Sequence, residues 1–167
     1  RVRREDQGQF QALRAWWIAR LASSPRALEE RMTLFWHGHF CSGFRDVKNS
    51  YHMWQQNDLL RRFAVGNFGG LVREVARDPA MLEYLDNRAN RKEHPNENFA
   101  RELLELFTLG VGNYSEQDIK EAARALTGWT LVDGAFAEVR ARHDQGKKTF
   151  LVPHDGEGAD LHIRGQA

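Results

Sequence analysis

Histidine titrates nearest neutrality and is the commonest nitrogen ligand for metals, so the chain's seven histidines come first. Two of them, His37 and His39, stand two residues apart in Phe35-Trp36-His37-Gly38-His39-Phe40. Side chains at i and i+2 share a side only in an extended strand. On an unbroken helix the two rings point about 200° apart, beyond the reach of one ion. Gly38, with Cys41-Ser42-Gly43 just beyond, offers a place for a helix to stop, which would release the pair from that constraint. One reading is a metal or acid–base pair. The other is a pair of helix-end histidines bonded to backbone carbonyls.

His143-Asp144, in Arg140-Ala141-Arg142-His143-Asp144-Gln145-Gly146, places an imidazole beside a carboxylate. It reads either as one rim of a metal site or as a polar turn next to glycine. Glu102 flanks the apolar stripe of its helix, while Glu97 and Glu105 lie further round, each four residues from Arg101 and so in range of ion pairing. If His39 and His143 converge with Glu102 or Asp144, the group would hold a divalent metal ion. His39 would be a ligand or general base, and His37 a ligand or a partner to one. His143 and Asp144 would complete a metal-assisted hydrolytic or transfer site. A di-iron bundle finds little support, because no glutamate has a histidine three places on.

Other residues carry less. His52 falls within a helix, His94 precedes Pro95, and His154 and His162 lie near the C-terminal end. Cys41, the one cysteine, rules out an internal disulfide framework and cysteine-rich zinc sites, and reads as a small buried or half-buried residue. Gly66, Gly69 and Gly70 lack the lysine and hydroxyl residue of a phosphate loop. The five tryptophans read mostly as core or helix-edge packing.

The chain has 167 residues, with 24 Lys and Arg against 23 Asp and Glu, for a net charge of +1. That balance argues against a nucleic-acid binder. No apolar run approaches the roughly 18 residues of a membrane span, and the charged start, Arg1 to Asp6, does not read as a signal peptide.

The elements that must position these groups are mostly helical. Phe10, Leu13, Trp17 and Leu21 make one face of a first helix over 7–22. Ser23-Ser24-Pro25 reads as a cap with proline opening a second helix, whose stripe Leu28, Met32 and Phe35 extends to His39. That register puts His39 on the buried face and His37 nearly opposite. A third helix covers 49–64, and Asp78-Pro79 restarts another after Leu71 to Ala76. The polar run from Asp86 to Pro95 reads as an exposed connection. Phe99, Leu103, Leu106 and Phe107 stripe the next helix, and Gly110 is placed as a left-handed cap. Ser115 and Asp118 form an acidic capping box for a helix that stops at Gly128. Thr130-Leu131-Val132, Asp133-Gly134 and the alternation from Ala135 to Val139 predict a hairpin on a two-residue turn. Residues 149–152 suit a further short strand. The expected fold is mainly α, a multi-helix orthogonal bundle with a small C-terminal β-hairpin, as one helical domain over 1–152 with a poorly packed tail over 153–167.

Several of these segments together resemble one bacterial family, the domain of unknown function 1800. They are Phe35 to Phe40, Asp78 to Asn87, the long run Pro95-Asn96-Glu97-Asn98-Phe99-Ala100-Arg101-Glu102-Leu103-Leu104-Glu105-Leu106-Phe107-Thr108-Leu109-Gly110, Tyr114 to Ile119, Ala123 to Trp129 and His143-Asp144, collinear over about 25–151. The resemblance implies a mainly helical protein of unassigned activity and a periplasmic or extracellular location. It also implies an alkaline-phosphatase-like protein encoded nearby as a partner. Members are generally longer, so this chain reads as a central fragment whose end, from Pro153, departs from the usual continuation. The alternative to a metal-assisted site is a helical scaffold binding a protein partner or an envelope polysaccharide, which would show an exposed apolar or aromatic patch.

Overall fold

The computed structural model describes residues 2–151, with side chains from Arg4 onward. It is mainly α, eight α-helices and one two-stranded antiparallel sheet among the described residues. The chain separates into two compact units that meet in sequence between Tyr84 and Leu85.

The first unit holds α1 (Val2–Ser23), α2 (Ala27–His39), α3 (Phe44–Val47), α4 (Ser50–Arg62), α5 (Phe68–Val75) and α6 (Pro79–Tyr84). Helix α4 is its hub, packing against α1, α2, α3, α5 and α6. Asn49 caps it, its side chain accepting from the amides of Tyr51 and His52, which satisfies two of the helix's free N–H groups. Leu60, Leu71, Met81 and Leu82 are wholly buried. Val47, Met53 and Ala80 form a cluster onto which Phe10, Leu13, Phe44 and Tyr84 pack, the rings of Phe10 and Phe44 stacking at 4.0 Å. The second helix starts later than the serine–proline signal suggests. Ser24 Oγ accepts from the amide of Arg26, so Ser24 and Pro25 belong to the turn and the helix opens at Ala27.

The second unit holds α7 (Glu97–Glu105), α8 (Glu116–Ala125), β1 (Trp129–Val132) and β2 (Ala135–Glu138), with 3-10 turns at Asn87–Ala89 and Arg140–Arg142. Phe99, Leu104, Phe107, Ile119 and Leu126 bury between and around α7 and α8. The Ser115–Asp118 capping box forms in both directions. Strand pairing runs Trp129 to Glu138 and Val132 to Ala135, with Asp133 (φ 50°) and Gly134 (φ 79°) both left-handed, as a type I′ hairpin requires. Gly128 is required by space as well as by its φ of 80°: a Cβ there would lie 2.7 Å from the Val139 carbonyl oxygen.

Three expectations about these elements are corrected. Helix α7 ends at Glu105, and Leu106, set on its stripe, is 58% exposed. Residues 149–151 form no strand, and Val152 lies outside the described residues, as does the 153–167 tail. The polar run from Asp86 is more than an exposed link, since Asn87 and Asn90 are fully buried within it. Asn87 Nδ2 donates to the carbonyls of Trp129 and Leu126 at 3.2 and 3.5 Å. Asn90 Nδ2 donates to the Ala123 carbonyl and to Asn87 Oδ1, while its own Oδ1 accepts from the Asn96 amide. These amides add side-chain donors to carbonyls at the end of α8 and the start of β1, tying the polar run to both elements.

Candidate functional site

Helix α2 runs unbroken through His39, so Gly38 does not release the histidine pair and the two rings diverge. His37 turns toward α1, its ring 5.0 Å from that of Trp17, and burial lowers its pKa below the usual histidine value against a weaker backbone hydrogen bond. His39 sits in an aromatic shelf, 4.7 Å from Phe40, 6.2 Å from Phe68 and 6.4 Å from Phe35, ring centre to ring centre. The stripe reading of α2 is also overturned. Leu28 and Phe35 are 66% and 56% exposed, whereas Glu30 and Thr33 are completely buried.

An ion cluster explains that reversal. Glu30 accepts from Arg61 Nε at 2.9 Å and Nη2 at 3.2 Å, and from Arg20 Nε. Arg61 also donates to Asn57, and both guanidinium groups lie over the Trp16 ring. Burial opposes ionisation of Glu30, but the hydrogen bonds and charges of Arg61 and Arg20 prevail and hold its carboxyl below the ordinary range. Thr33 returns its hydroxyl proton to the Glu29 carbonyl. With Glu30 and Thr33 both hydrogen-bonded, the polar side of α2 packs inward and Leu28, Leu34 and Phe35 face out.

A second polar cluster lies deeper in the same unit. Asp78 caps α6 by accepting from the Met81 amide at 2.9 Å and also accepts from Gln56 Nε2 at 2.8 Å. Gln56 Oε1 in turn accepts from Ser42. Burial raises the Asp78 carboxyl to about 7, against the pull of those bonds and of nearby His52. His52 Nδ1 lies 3.0 Å from Glu83 Oε2. Sequence reading passed over Glu30, His52, Gln56 and Asp78 as sites of polar burial, taking Asp78 only as a cap. For His52 and Gln56 the sequence signal is spacing: His52, Gln56, Asn57 and Arg61 recur at helical intervals along α4, beside the buried Met53, Leu59 and Leu60. Cys41, expected to be buried or half-buried, is exposed.

In the second unit His143 and Asp144 act as a clasp. Asp144 takes Arg124 Nε at 2.7 Å and Nη2 at 3.3 Å and caps the Gly146 amide; the Arg124 guanidinium, partly offset by burial, holds its carboxyl below the usual range. Arg124 simultaneously binds both oxygens of Glu121 at 2.8 Å. The Asp144 amide donates to Thr127 Oγ1. His143 Nδ1 donates to the Thr127 carbonyl at 2.7 Å, which leaves Nε2 with the lone pair in the neutral ring. Glu102 is half-buried on α7. Arg101 pairs with Glu97 and with Glu116, and Glu105 accepts from Tyr114 instead. Thus His37 and His39 belong to the first unit, and Glu102, His143 and Asp144 to the second. Among the described residues no group of three or more His, Cys, Asp and Glu side chains is placed to hold a metal ion.

What α2 presents outward is the other candidate. Ala27, Arg31, Leu34 and Gly38 fall at i, i+4, i+7 and i+11, with Leu28 and Phe35 alongside, and all six are exposed. Leu34 is 49% exposed, and beyond the adjoining backbone of its own helix nothing lies within 4 Å of where a Cβ on Gly38 would sit. The aromatic shelf continues the surface, Phe68 being 40% exposed with its ring 5.6 Å from that of Trp36. A separate open depression of about 500 Å³ is lined by Trp16, Ala19, Arg20, Ser23, Ser24, Pro25 and Arg26.

A mainly helical fold with paired internal charges and an outward apolar helix face defines a structural class without prescribing a reaction. The family model for a protein of unknown function (DUF1800) matches residues 1–162, and the chain belongs to that family. The match extends past the 25–151 span of the quoted motifs and takes in most of the stretch after Pro153 that reads as unfamiliar. No curated protein and no solved structure matches the chain. No described helix is long and apolar enough to cross a membrane.

Proposed function

We propose that this DUF1800 chain is a helical docking module that binds a protein partner through the outward face of α2. The exposure of Leu28, Leu34 and Phe35 beside Phe68 carries this reading. Together these side chains leave on the order of several hundred Å² of apolar surface in water, a patch size associated with interaction sites. Their exposure is structurally specified, since turning them inward would strand Glu30 from its two arginines. The test is a titration of the full chain with a fluorescent amphipathic helical peptide, followed by anisotropy. Saturable binding that is lost in Leu34→Glu, with the circular dichroism unchanged, supports the module. Equal binding by wild type and variant contradicts it.

The metal-assisted reading rests on one favourable observation, the His143 Nδ1 bond that leaves Nε2 available as a ligand. It ranks second because the Asp144 carboxylate is already engaged by Arg124.

A further inference from the structure

Arg31 is the one charged residue on the outward face of α2, lying between Ala27 and Leu34 in the same row. It has no ion-pair or hydrogen-bond partner among the described residues, unlike Arg20, Arg61 and Arg124. The spacing Ala27, Arg31, Leu34, Gly38 is the alternation of four and three that seats another helix along a seam. Alanine at one end and glycine at the other let a second backbone approach closely, while Leu28 and Phe35 form a wall on one side.

A second copy of the chain is a poor occupant. In a two-fold antiparallel pairing of α2 the seam centres between Arg31 and Leu34, bringing the two Arg31 side chains within about one turn of each other. A parallel pairing sets them directly opposite. Either arrangement moves two unneutralised guanidinium groups out of water without a counter-charge, which is unfavourable.

Resting on the docking reading above, we infer that the partner is a protein carrying an amphipathic helix whose apolar stripe is interrupted by one carboxylate, which pairs with Arg31. The apolar residues of that helix lie against Leu28, Leu34 and Phe35. The carboxylate accepts from the planar guanidinium, setting the register of the incoming helix. Association without that carboxylate leaves Arg31 desolvated and unpaired, so charge selects among helices of similar hydrophobicity.

The experiment uses the full chain and two helical peptides about four turns long, each with the same leucine stripe and differing only in a glutamate or lysine at its centre. Wild type is expected to bind the glutamate peptide about two- to fivefold more tightly than its lysine twin, with the gap narrowing as salt is raised. Arg31→Glu reverses the preference. If both peptides bind alike and Arg31→Glu changes nothing, while Leu34→Glu still abolishes binding, the acidic partner is wrong and the docking face stands. If neither peptide binds, the docking reading falls, and the inference with it. Self-association of the chain that is abolished by Leu34→Glu would identify a second copy as the occupant and overturn the inference.

Discussion

Asp78 and Glu30 respond to pH in opposite directions. The Asp78 carboxyl, ordinarily at 3.8, is raised by burial to about 7 in the folded chain. Between those values the folded state keeps a proton that the unfolded state releases, so its contribution to stability is complete below 3.8 and is lost as pH rises toward about 7. Asp78→Asn removes the titration and still caps α6. The Met81 amide and Gln56 Nε2 both donate to Oδ2, so an asparagine with its carbonyl oxygen in that place accepts both without rearrangement. Thermal melts of wild type should therefore weaken relative to Asp78→Asn across that interval, and parallel pH profiles would contradict this. Glu30 has a depressed pKa, so its contribution is present above its ordinary value and lost as pH falls below it. Its carboxylate is 1% exposed and the Arg61 side chain 10%. Arg61→Ala leaves a buried charge with only Arg20, and is expected to cost about 3–5 kcal/mol in urea unfolding. A loss below about 1 kcal/mol would show that water already screens the pair.

Local chemistry was legible in the sequence wherever it sufficed to set an element. The Ser115–Asp118 box, the Asp133-Gly134 turn and the Asp78-Pro79 restart form as read, because each is decided within a few residues. Helix α2 was read with the wrong face inward. Counting Leu28, Met32 and Phe35 as a core stripe assumes that polar residues seek water. Glu30 instead meets Arg20 from ten residues before it and Arg61 from thirty-one after it, partners that no local window contains. The asparagines of the Asp86–Pro95 run escaped notice for the same reason, since Asn90 bonds a carbonyl thirty-three residues away. Of the candidate metal residues, sequence marked His143-Asp144 as a polar pair beside a turn, but the partners that define its clasp, Arg124 and Thr127, come from the end of α8. At this scale Asn90→Ala takes the side-chain acceptor from the Asn96 amide and one of the two donors from the Ala123 carbonyl, which keeps the Leu126 amide. It should cost about 1–3 kcal/mol by denaturant unfolding, the range for one polar group left unpaired, and a neutral effect would refute the role given to it. Phe35→Ser on the outward face of α2 should change stability by less than about 0.5 kcal/mol, whereas a loss of core-residue size would mean that the side chain is packed after all.

At the scale of the whole chain, family membership fixes a relationship and leaves the activity to be argued from surfaces and charges. The first unit buries Glu30 and Asp78 among polar partners while leaving Leu28, Leu34 and Phe35 of α2 in water, the exposure on which the docking proposal rests. The second unit uses its carboxylates to hold its own loops, through Asp144 with Arg124 and Glu121 with Arg124. The central claim is that α2 receives a helix. Its most direct test is amide hydrogen exchange of the full chain with and without the glutamate-bearing peptide. The account predicts added protection concentrated in α2 and around Phe68, absent in Leu34→Glu. Protection centred instead on the Trp16–Arg20 depression, or on the His143 turn, would contradict it.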